Sequence, residues 1–352
     1  MTNVVLVSSK TGIGGGETSL LNLARGFRDN HVDYTMLVKG GRYYELLRDR
    51  AEPVRPLTCL TLLKEILFHH QKNFLINDFE SLVHYGALLK LTRRRVLWMA
   101  HGWWYTGIKL LFVFAFADRV IAVSTAIQRH FVACRSLSER VRLIPLGIPI
   151  LQPDDSCHEA VADFSDREVV VGIIGRFQRV KNHQAFLKIA DALISRAPGK
   201  FTFWIVGSNT FGVKDDQRNY EEIIAAINSS PTLFNNIKLI SHSDSVRKMI
   251  RRMDFVVQPS DFESFGMVLI EAMDCAKVVL STSVGGPVDI IRDGVDGFLI
   301  DPSNINGYVD KILELARDAQ MYNKVSEAAR QRVRAKFDVR LTAKQVVAEC
   351  AP

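Results

Sequence analysis

Apolar and polar positions along this chain follow two rhythms that take turns. Short, largely apolar runs occur at residues 3–9, 34–38, 74–76, 96–99, 120–123 and 141–144. Runs this short and continuous predict strands buried on both faces. Between them apolar residues recur at helical spacing, as Leu20, Leu21, Leu23, Ala24 and Phe27 do. From Pro149 to Asp166 both rhythms lapse into a polar, proline-containing stretch that predicts a linker. The alternation then restarts, with strands at 169–174, 201–206, 237–240, 255–258, 278–281 and 298–300 and helices through 186–193 and near 220–227. Strand–helix alternation of this kind predicts an α/β protein with two parallel sheets, each covered on both faces. The expected domains are residues 1–150 and 167–337. A last helix near 341–349, set off by Phe337-Asp338, is expected to pack back on the first domain within 338–352. Sheets of this class bind ligands beyond the carboxyl ends of their strands, in the cleft that two such domains make, so the chemistry is sought in those loops.

Composition narrows the picture. A chain of 352 residues is long enough for two cores, and 47% apolar with 24% charged residues excludes a disordered or low-complexity protein. Cys59, Cys134, Cys157, Cys275 and Cys350 are odd in number and scattered, which argues against a disulfide framework or a zinc ribbon and for a reducing compartment. The longest apolar stretch, residues 110–117, is far short of the ~20 residues of a spanning helix. Residues 1–9 have neither a basic start nor a cleavage site and read as a strand, not a signal peptide. A cytoplasmic protein is expected. The charge is uneven: residues 1–150 carry 20 Lys and Arg against 11 Asp and Glu, net +9, while the rest carry 25 against 27, net −2. An anionic partner for the first half follows.

Several motifs fail. The glycines at 12–16 lack the third glycine of a dinucleotide fingerprint, because position 17 is Glu. There is no P-loop, no H-E-x-x-H, and no D-x-D to hold a metal on a nucleotide diphosphate; Asp78-Phe-Glu80 and Asp261-Phe-Glu263 are the nearest. No cofactor and no metal are expected. What remains lies at strand ends. Gly175-Arg176-Phe177 follows the 169–174 run, with Lys181 five residues after Arg176. Two cations at the mouth of a helix suit a diphosphate; two solvated surface cations are the plainer alternative. The loop 259–266 opens a helix at Met267, with Glu263 on the loop and Glu271 one turn inside. Paired carboxylates accept hydrogen bonds from sugar hydroxyls; Glu271 also reads as a structural acid paired to Lys or Arg. Val284-Gly285-Gly286 offers main-chain N–H groups to an anion. His101 ends a strand and is fit to bind a hydroxyl or phosphate, or to polarise a leaving group, with a satisfied structural histidine equally open; Ser124 is similarly ambiguous. The stretch from Trp103-Trp104-Tyr105 to Phe116, with Lys109 and Arg93-Arg94-Arg95, suggests a membrane surface. For residues 111–116 a helix buried under the sheet is the expectation, with docking left to Trp103, Trp104 and the arginines.

These segments together resemble the family 4 (GT4) glycosyltransferases, which transfer sugars with retention, without a metal, on the GT-B fold of two Rossmann-like domains. The most specific part is Glu263-x7-Glu271 within residues 259–273, joined by Gly175-Arg176-x4-Lys181-Asn182, Val284-Gly285-Gly286 and Asp293-Gly-Val-Asp-Gly-Phe298. In the first half, Gly15-Gly16-Glu17, Ala117-Asp118-Arg119-Val-Ile-Ala-Val-Ser124 and Ile144-Pro145-Leu146-Gly147-Ile148 are similar as well. Where members of the family carry Glu-Gly, His-Asp and Pro-Asn-Gly, this chain has Glu263-Ser264, His101-Gly102 and Pro145-Leu146-Gly147.

The resemblance implies that Arg176 and Lys181 neutralise the diphosphate of a nucleotide-sugar donor, a UDP-sugar ahead of a GDP- or ADP-sugar. It implies Glu271 on the ribose, and Glu263 with the amides of Ser264, Phe265, Gly266 and Met267 on the transferred sugar. Gly175 and Gly207 would line the nucleotide pocket, Gly15 and Gly16 would approach donor phosphate or acceptor, and His101 would contact the sugar near the reacting carbon. The implied first domain is the acceptor side and the second the donor side. The expected acceptor is a glycan or lipid-linked glycan in surface-polysaccharide assembly. An anionic membrane surface is a candidate partner, with peripheral attachment to the inner face of the cell membrane and no nucleic acid. A nucleotide-sugar epimerase or a phosphorylase on the same architecture is the alternative, with a non-catalytic nucleotide- or polyanion-binding protein behind it.

Overall fold

The computed structural model describes residues 3–68, 73–133, 139–151, 162–165, 167–207, 214–241 and 246–351. The expected linker and Cys134 and Cys157 fall largely or wholly outside the described residues. Two compact units emerge: residues 1–149 with 336–352, and residues 150–335.

The first unit holds β1 (Asn3–Ser8), β2 (Asp33–Val38), β3 (Val54–Pro56), β4 (Asn73–Ile76), β5 (Arg95–Ala100), β6 (Arg119–Ala122) and β7 (Val141–Leu143). They form one parallel sheet in the order β3-β2-β1-β4-β5-β6-β7. Its helices are α1 (Gly15–Asp29), α2 (Arg42–Asp49), α3 (Cys59–Leu67), α4 (Phe79–Leu91), α5 (Ile108–Phe116) and α6 (Thr125–Val132). Leu6, Phe74 and Trp98 on the central strands are fully buried, as continuous apolar strands between two helical layers must be. Asp78 ties the sheet to α4. Its carboxylate accepts from Ser81 N–H, which caps the helix, and from Ser9 N–H and hydroxyl at the end of β1, at 2.6–2.9 Å. Ser124 caps α6 in the same way, accepting from Ile127 N–H at 3.3 Å, which gives its hydroxyl a structural role.

Two elements differ from expectation. β3 is an edge strand of three residues, Val-Arg-Pro, and carries no apolar run to announce it. α5 is not a buried helix: of its nine residues only Val113 is fully buried, and Ile108 and Leu111 are 70% and 66% exposed. It touches α4 through Phe116, whose ring fills the space beside Gly86 that a Cβ would occupy.

The second unit repeats the plan with β8 (Val169–Ile174), β9 (Phe201–Gly207), β10 (Ile237–Ser241), β11 (Phe255–Gln258), β12 (Val278–Thr282) and β13 (Phe298–Ile300), in the order β10-β9-β8-β11-β12-β13. Helices α7 (His183–Arg196), α8 (Lys214–Asn228), α9 (Pro231–Asn236), α10 (Val246–Arg251), α11 (Met267–Asp274), α12 (Pro287–Ile290), α13 (Ile305–Arg317) and α14 (Ala319–Lys336) accompany it. A last helix, α15 (Val339–Ala348), returns to α1. The two cross so closely that a Cβ on Gly26 would lie 2.7 Å from the Val339 carbonyl. Backbone bonds between Ile148 and both Phe337 and Val339, and an Arg119–Glu349 ion pair at 3.1 Å, complete that docking.

Candidate functional site

In the second unit the strand order reverses at β8, with β9 on one side and β11 on the other. Such a switch point leaves a crevice between loops that diverge from adjacent strands. Gly175 follows β8 and donates its N–H to the Val206 carbonyl at 2.9 Å. Gly207 ends β9 so close by that a Cβ there would sit 2.4 Å from the Gly175 oxygen, so no larger residue fits without moving backbone. The stem of Lys181 lies against Gly175, 3.7 Å from where its Cβ would be.

The loop after β8 is tied to the loop after β11. Asn182 adopts left-handed backbone and caps α7 through Ala185 N–H, while its amide donates to Asp261 at 2.9 Å. Asp261 N–H in turn donates to the Val180 carbonyl at 2.9 Å. Across this junction Lys181 Nζ donates to Glu263 Oε2 at 2.5 Å, with the two side chains 22% and 14% exposed. A third loop holds Glu263 from behind: Gly286 N–H donates to the Glu263 carbonyl at 2.7 Å, and Gly285 at φ +93° passes where any Cβ would collide with that oxygen. Loops from β8, β11 and β12 therefore converge on one cation–carboxylate pair.

The other expected residues surround this pair unevenly. Arg176 is half-buried, and its guanidinium has no partner among the described residues. Ser264 is half-buried; Phe265 turns its ring into the core, so only its backbone is available to a ligand. Gly266 takes φ +112° and starts α11 at Met267, whose first-turn N–H groups have no intrahelical acceptor. Glu271 takes no part in the Lys181–Glu263 ion pair. The residue is half-buried, and burial pushes its carboxyl up to about 7, Arg247 pulling the other way and Asp274 adding to the rise. Asp274 is itself fully buried, held by Leu151 N–H at 3.1 Å and Arg247 at 3.4 Å. Glu271 thus sits beside a structural ion pair without being its carboxylate.

The first unit has its own switch point, at β1, and the expected residues there do meet. His101, after β5, places Nε2 2.8 Å from Asn77 Oδ1, and Asn77 Nδ2 donates to the Gly16 carbonyl at 3.2 Å. Because that carbonyl only accepts, the amide NH2 of Asn77 must face it, its oxygen faces the imidazole, and Nε2 donates. Nδ1 keeps its lone pair. Burial pushes the imidazole down to about 4, against the opposing charge of Asp78, so the ring is neutral near pH 7. Gly16 lies against the ring, while open space lies beside Gly15. The ring of Trp104 fills the space a Cβ at position 102 would need, so this chain has glycine after the histidine.

Two residues of these sites carry no mark in the sequence. Asn77 is simply the residue after β4, and its bond to His101 spans 24 positions. His183, at the start of α7, is buried with both ring nitrogens unpartnered among the described residues. It stacks on Phe177 at 5.0 Å, and burial together with Lys181 pushes it down to about 4. A neutral ring there adds no positive charge to the lysine.

Comparison with known proteins agrees with this architecture. The family model described as Glycosyltransferase Family 4 matches residues 13–150, and that described as Glycosyl transferases group 1 matches residues 158–332. The D-inositol 3-phosphate glycosyltransferase of Paenarthrobacter aurescens (strain TC1) is 33% identical over 147 residues, covering 42% of this chain and 35% of the relative. The poly(ribitol-phosphate) alpha-N-acetylglucosaminyltransferase of Staphylococcus aureus (strain COL) is 29% identical over 181 residues, 51% of this chain and 34% of the relative. Alr3699/HepE of Anabaena, solved with UDP and glucose, superposes with a TM-score of 0.82 at 23% identity over 99% of both chains. The curated relatives are matched over 11% to 42% of their own length. With one family model on each unit and the same doubly repeated strand order, the chain belongs to the family 4 glycosyltransferases and has the GT-B fold.

Proposed function

We propose that the protein is a retaining glycosyltransferase that takes a sugar from a UDP-sugar and needs neither metal nor cofactor. The observation that carries this reading is the Lys181–Glu263 pair held by three loops at the β8 switch point. Lys181 and Arg176 face the diphosphate, with the first-turn N–H groups of α11, and supply the positive field that a divalent ion supplies elsewhere. Glu271 accepts from the ribose hydroxyls. Glu263 accepts from hydroxyls of the transferred sugar, and on donor binding Lys181 exchanges part of its contact with Glu263 for phosphate oxygen. As the anomeric carbon–oxygen bond breaks, one unit of negative charge develops on the diphosphate beside those cations. The acceptor hydroxyl attacks from the face the diphosphate leaves and passes its proton to a leaving phosphate oxygen. His101 stays neutral throughout and offers Nδ1 to a hydroxyl. The HepE complexes with UDP and with UDP-glucose support the choice of nucleotide. The acceptor is a glycan or lipid-linked glycan of the cell surface, reached from the cytoplasmic face of the membrane.

Thermal unfolding against a panel of UDP-, GDP- and ADP-sugars, with and without a chelator, tests the donor side. The expected result is stabilisation by UDP-sugars that a chelator does not reduce; a ligand at 100 times its Kd contributes about 2.7 kcal/mol. Stabilisation that disappears with the chelator would remove the metal-free mechanism. Conversion of a UDP-sugar to its epimer without any acceptor would replace transfer by epimerisation.

A further inference from the structure

The surface of the first unit carries a feature that the donor site does not use. α5 reads Ile-Lys-Leu-Leu-Phe-Val-Phe-Ala-Phe, and all but one of these residues keep some exposure. Just before it, Trp103 and Trp104 are 49% and 54% exposed. A soluble protein rarely leaves a helix this apolar uncovered. Positive charge outnumbers negative around it, the acids being Asp118 and the exposed Glu139 beside Arg140. Lys109 is on the helix, Arg140 donates to the Phe114 carbonyl at 3.0 Å, and Arg129 is exposed on α6, the helix whose His130 ring bonds the Tyr105 carbonyl at 3.0 Å. From Trp103 to Ala133 the sole acid is Asp118, and Lys90 holds it at 2.5 Å.

We propose that α5 and the loop before it dock on an anionic lipid bilayer. Trp103, Trp104, Ile108 and Leu111 enter the headgroup boundary, and Lys109, Arg129 and Arg140 meet lipid phosphates. Nine residues at ~1.5 Å each are less than half the ~30 Å of hydrocarbon, so the helix lies in the interface and does not cross it. Among the described residues no helix is long and apolar enough to span a membrane. A second copy of the chain is a poorer occupant: a two-fold contact would set these cations against themselves. An anionic surface complements them at about 1 kcal/mol each. In its purpose the docking rests on the lipid-linked acceptor proposed above, but it is measured without any acceptor.

The experiment is co-sedimentation of the full chain with phosphatidylcholine vesicles, pure or with about a third phosphatidylglycerol. Three cations at about 1 kcal/mol each predict roughly hundredfold tighter binding to the anionic vesicles at low salt. Tryptophan emission should shift to the blue on binding. Trp98 and Trp204 are buried already, so the shift belongs to Trp103 and Trp104 and is lost in W103F/W104F while sedimentation persists. The double variant I108D/L111D should bind at least tenfold more weakly. Both positions are exposed, and an unchanged thermal shift with UDP shows that the variant is folded. Equal binding to neutral vesicles, no emission shift, or undiminished binding of the double variant overturns the proposal. So does a concentration-dependent dimer that the double variant dissolves, which assigns the face to a second copy. Vesicle binding without any UDP response leaves the docking standing and removes the donor reading alone.

Discussion

Lys181→Ala is the substitution on which the donor site turns. Lys181 Nζ sits 2.5 Å from Glu263 Oε2, and its stem is laid along Gly175, so its position is set before a ligand arrives. Loss of a nucleotide diphosphate adds one unit of negative charge within reach of that ammonium. At about 4 Å and an effective dielectric near 20, one such charge gains about 4 kcal/mol from one cation. Residual solvent access and the opposing charge of Glu263 reduce this, which brings it to the ~2–4 kcal/mol typical of removing one preorganised charge stabiliser. The expected fall in kcat is therefore about 30- to 1,000-fold. It is read as the rate of UDP release from a UDP-sugar, with unfolding temperature as the control. A partly exposed ion pair contributes about 0–1 kcal/mol to folding, so the variant should unfold within a few degrees of the parent. Glu263→Gln added to Lys181→Ala separates the two roles. If the pair served only the fold, neutralising both members would restore activity; the reading here requires the double variant to be at least as slow as the single one. A Lys181→Ala enzyme within about threefold of parental kcat refutes the assignment.

Other consequences follow from the same geometry. Burial raises Glu271 to about 7 from 4.5, so the folded chain holds a proton there that the unfolded chain releases, and stability falls as pH rises through that window. Glu271→Gln should accordingly raise the unfolding temperature more at pH 8 than at pH 5, while weakening UDP affinity by about 1.5–3 kcal/mol in titration calorimetry; an equal gain at both pH values contradicts the burial argument. His101 is lowered to about 4 from 6.5, so stability bound up with its neutral form is lost as pH falls through that range, and kcat/KM should show no inflection near 6.5 that His101→Asn removes. Asn77→Leu removes the acceptor of the Nε2 proton and should lower kcat/KM about tenfold while UDP affinity, read at the second unit, stays unchanged. Gly26→Val forces α1 off α15 and should cost about 1–3 kcal/mol by denaturant unfolding, whereas the same change at the unencumbered Gly15 should not.

The central parallel strands were legible because burial on both faces leaves them almost wholly apolar: Val169 to Ile174 is a strand on composition alone. β3 was not, since an edge strand of Val54, Arg55 and Pro56 needs neither face apolar. α5 failed in the opposite sense. An apolar run reports what a segment avoids, water, and not what it packs against, so Leu111 reads the same whether sheet or something outside the chain covers it. At the sites, the residue types that act were visible, but their pairings were not. Lys181 and Glu263 are 82 positions apart, and only the adjacency of β8 and β11 brings them together. Asn77 is an ordinary residue type whose role exists only through the ring it orients.

The two units share a strand order and differ in the chemistry of their switch points, and the difference runs against their net charge. The first half of the chain is the basic one, yet at β1 it assembles Gly16, Asn77 and an imidazole kept neutral by burial. The second half is slightly acidic, yet at β8 it assembles Lys181 and Arg176 beside Gly175 and Gly207. Local charge is thus arranged as the proposed reading requires, with cations at the switch point assigned to a diphosphate and neutral hydrogen-bonding groups at the one assigned to a hydroxyl. The surplus positive charge of the first half is left with no task at its own switch point. Lys109, Arg129 and Arg140 lie instead around an uncovered apolar helix, where water offers neither the apolar residues nor the cations any reason to be together. An anionic bilayer satisfies both at once, which is why the charge asymmetry and the exposed helix are one observation and not two.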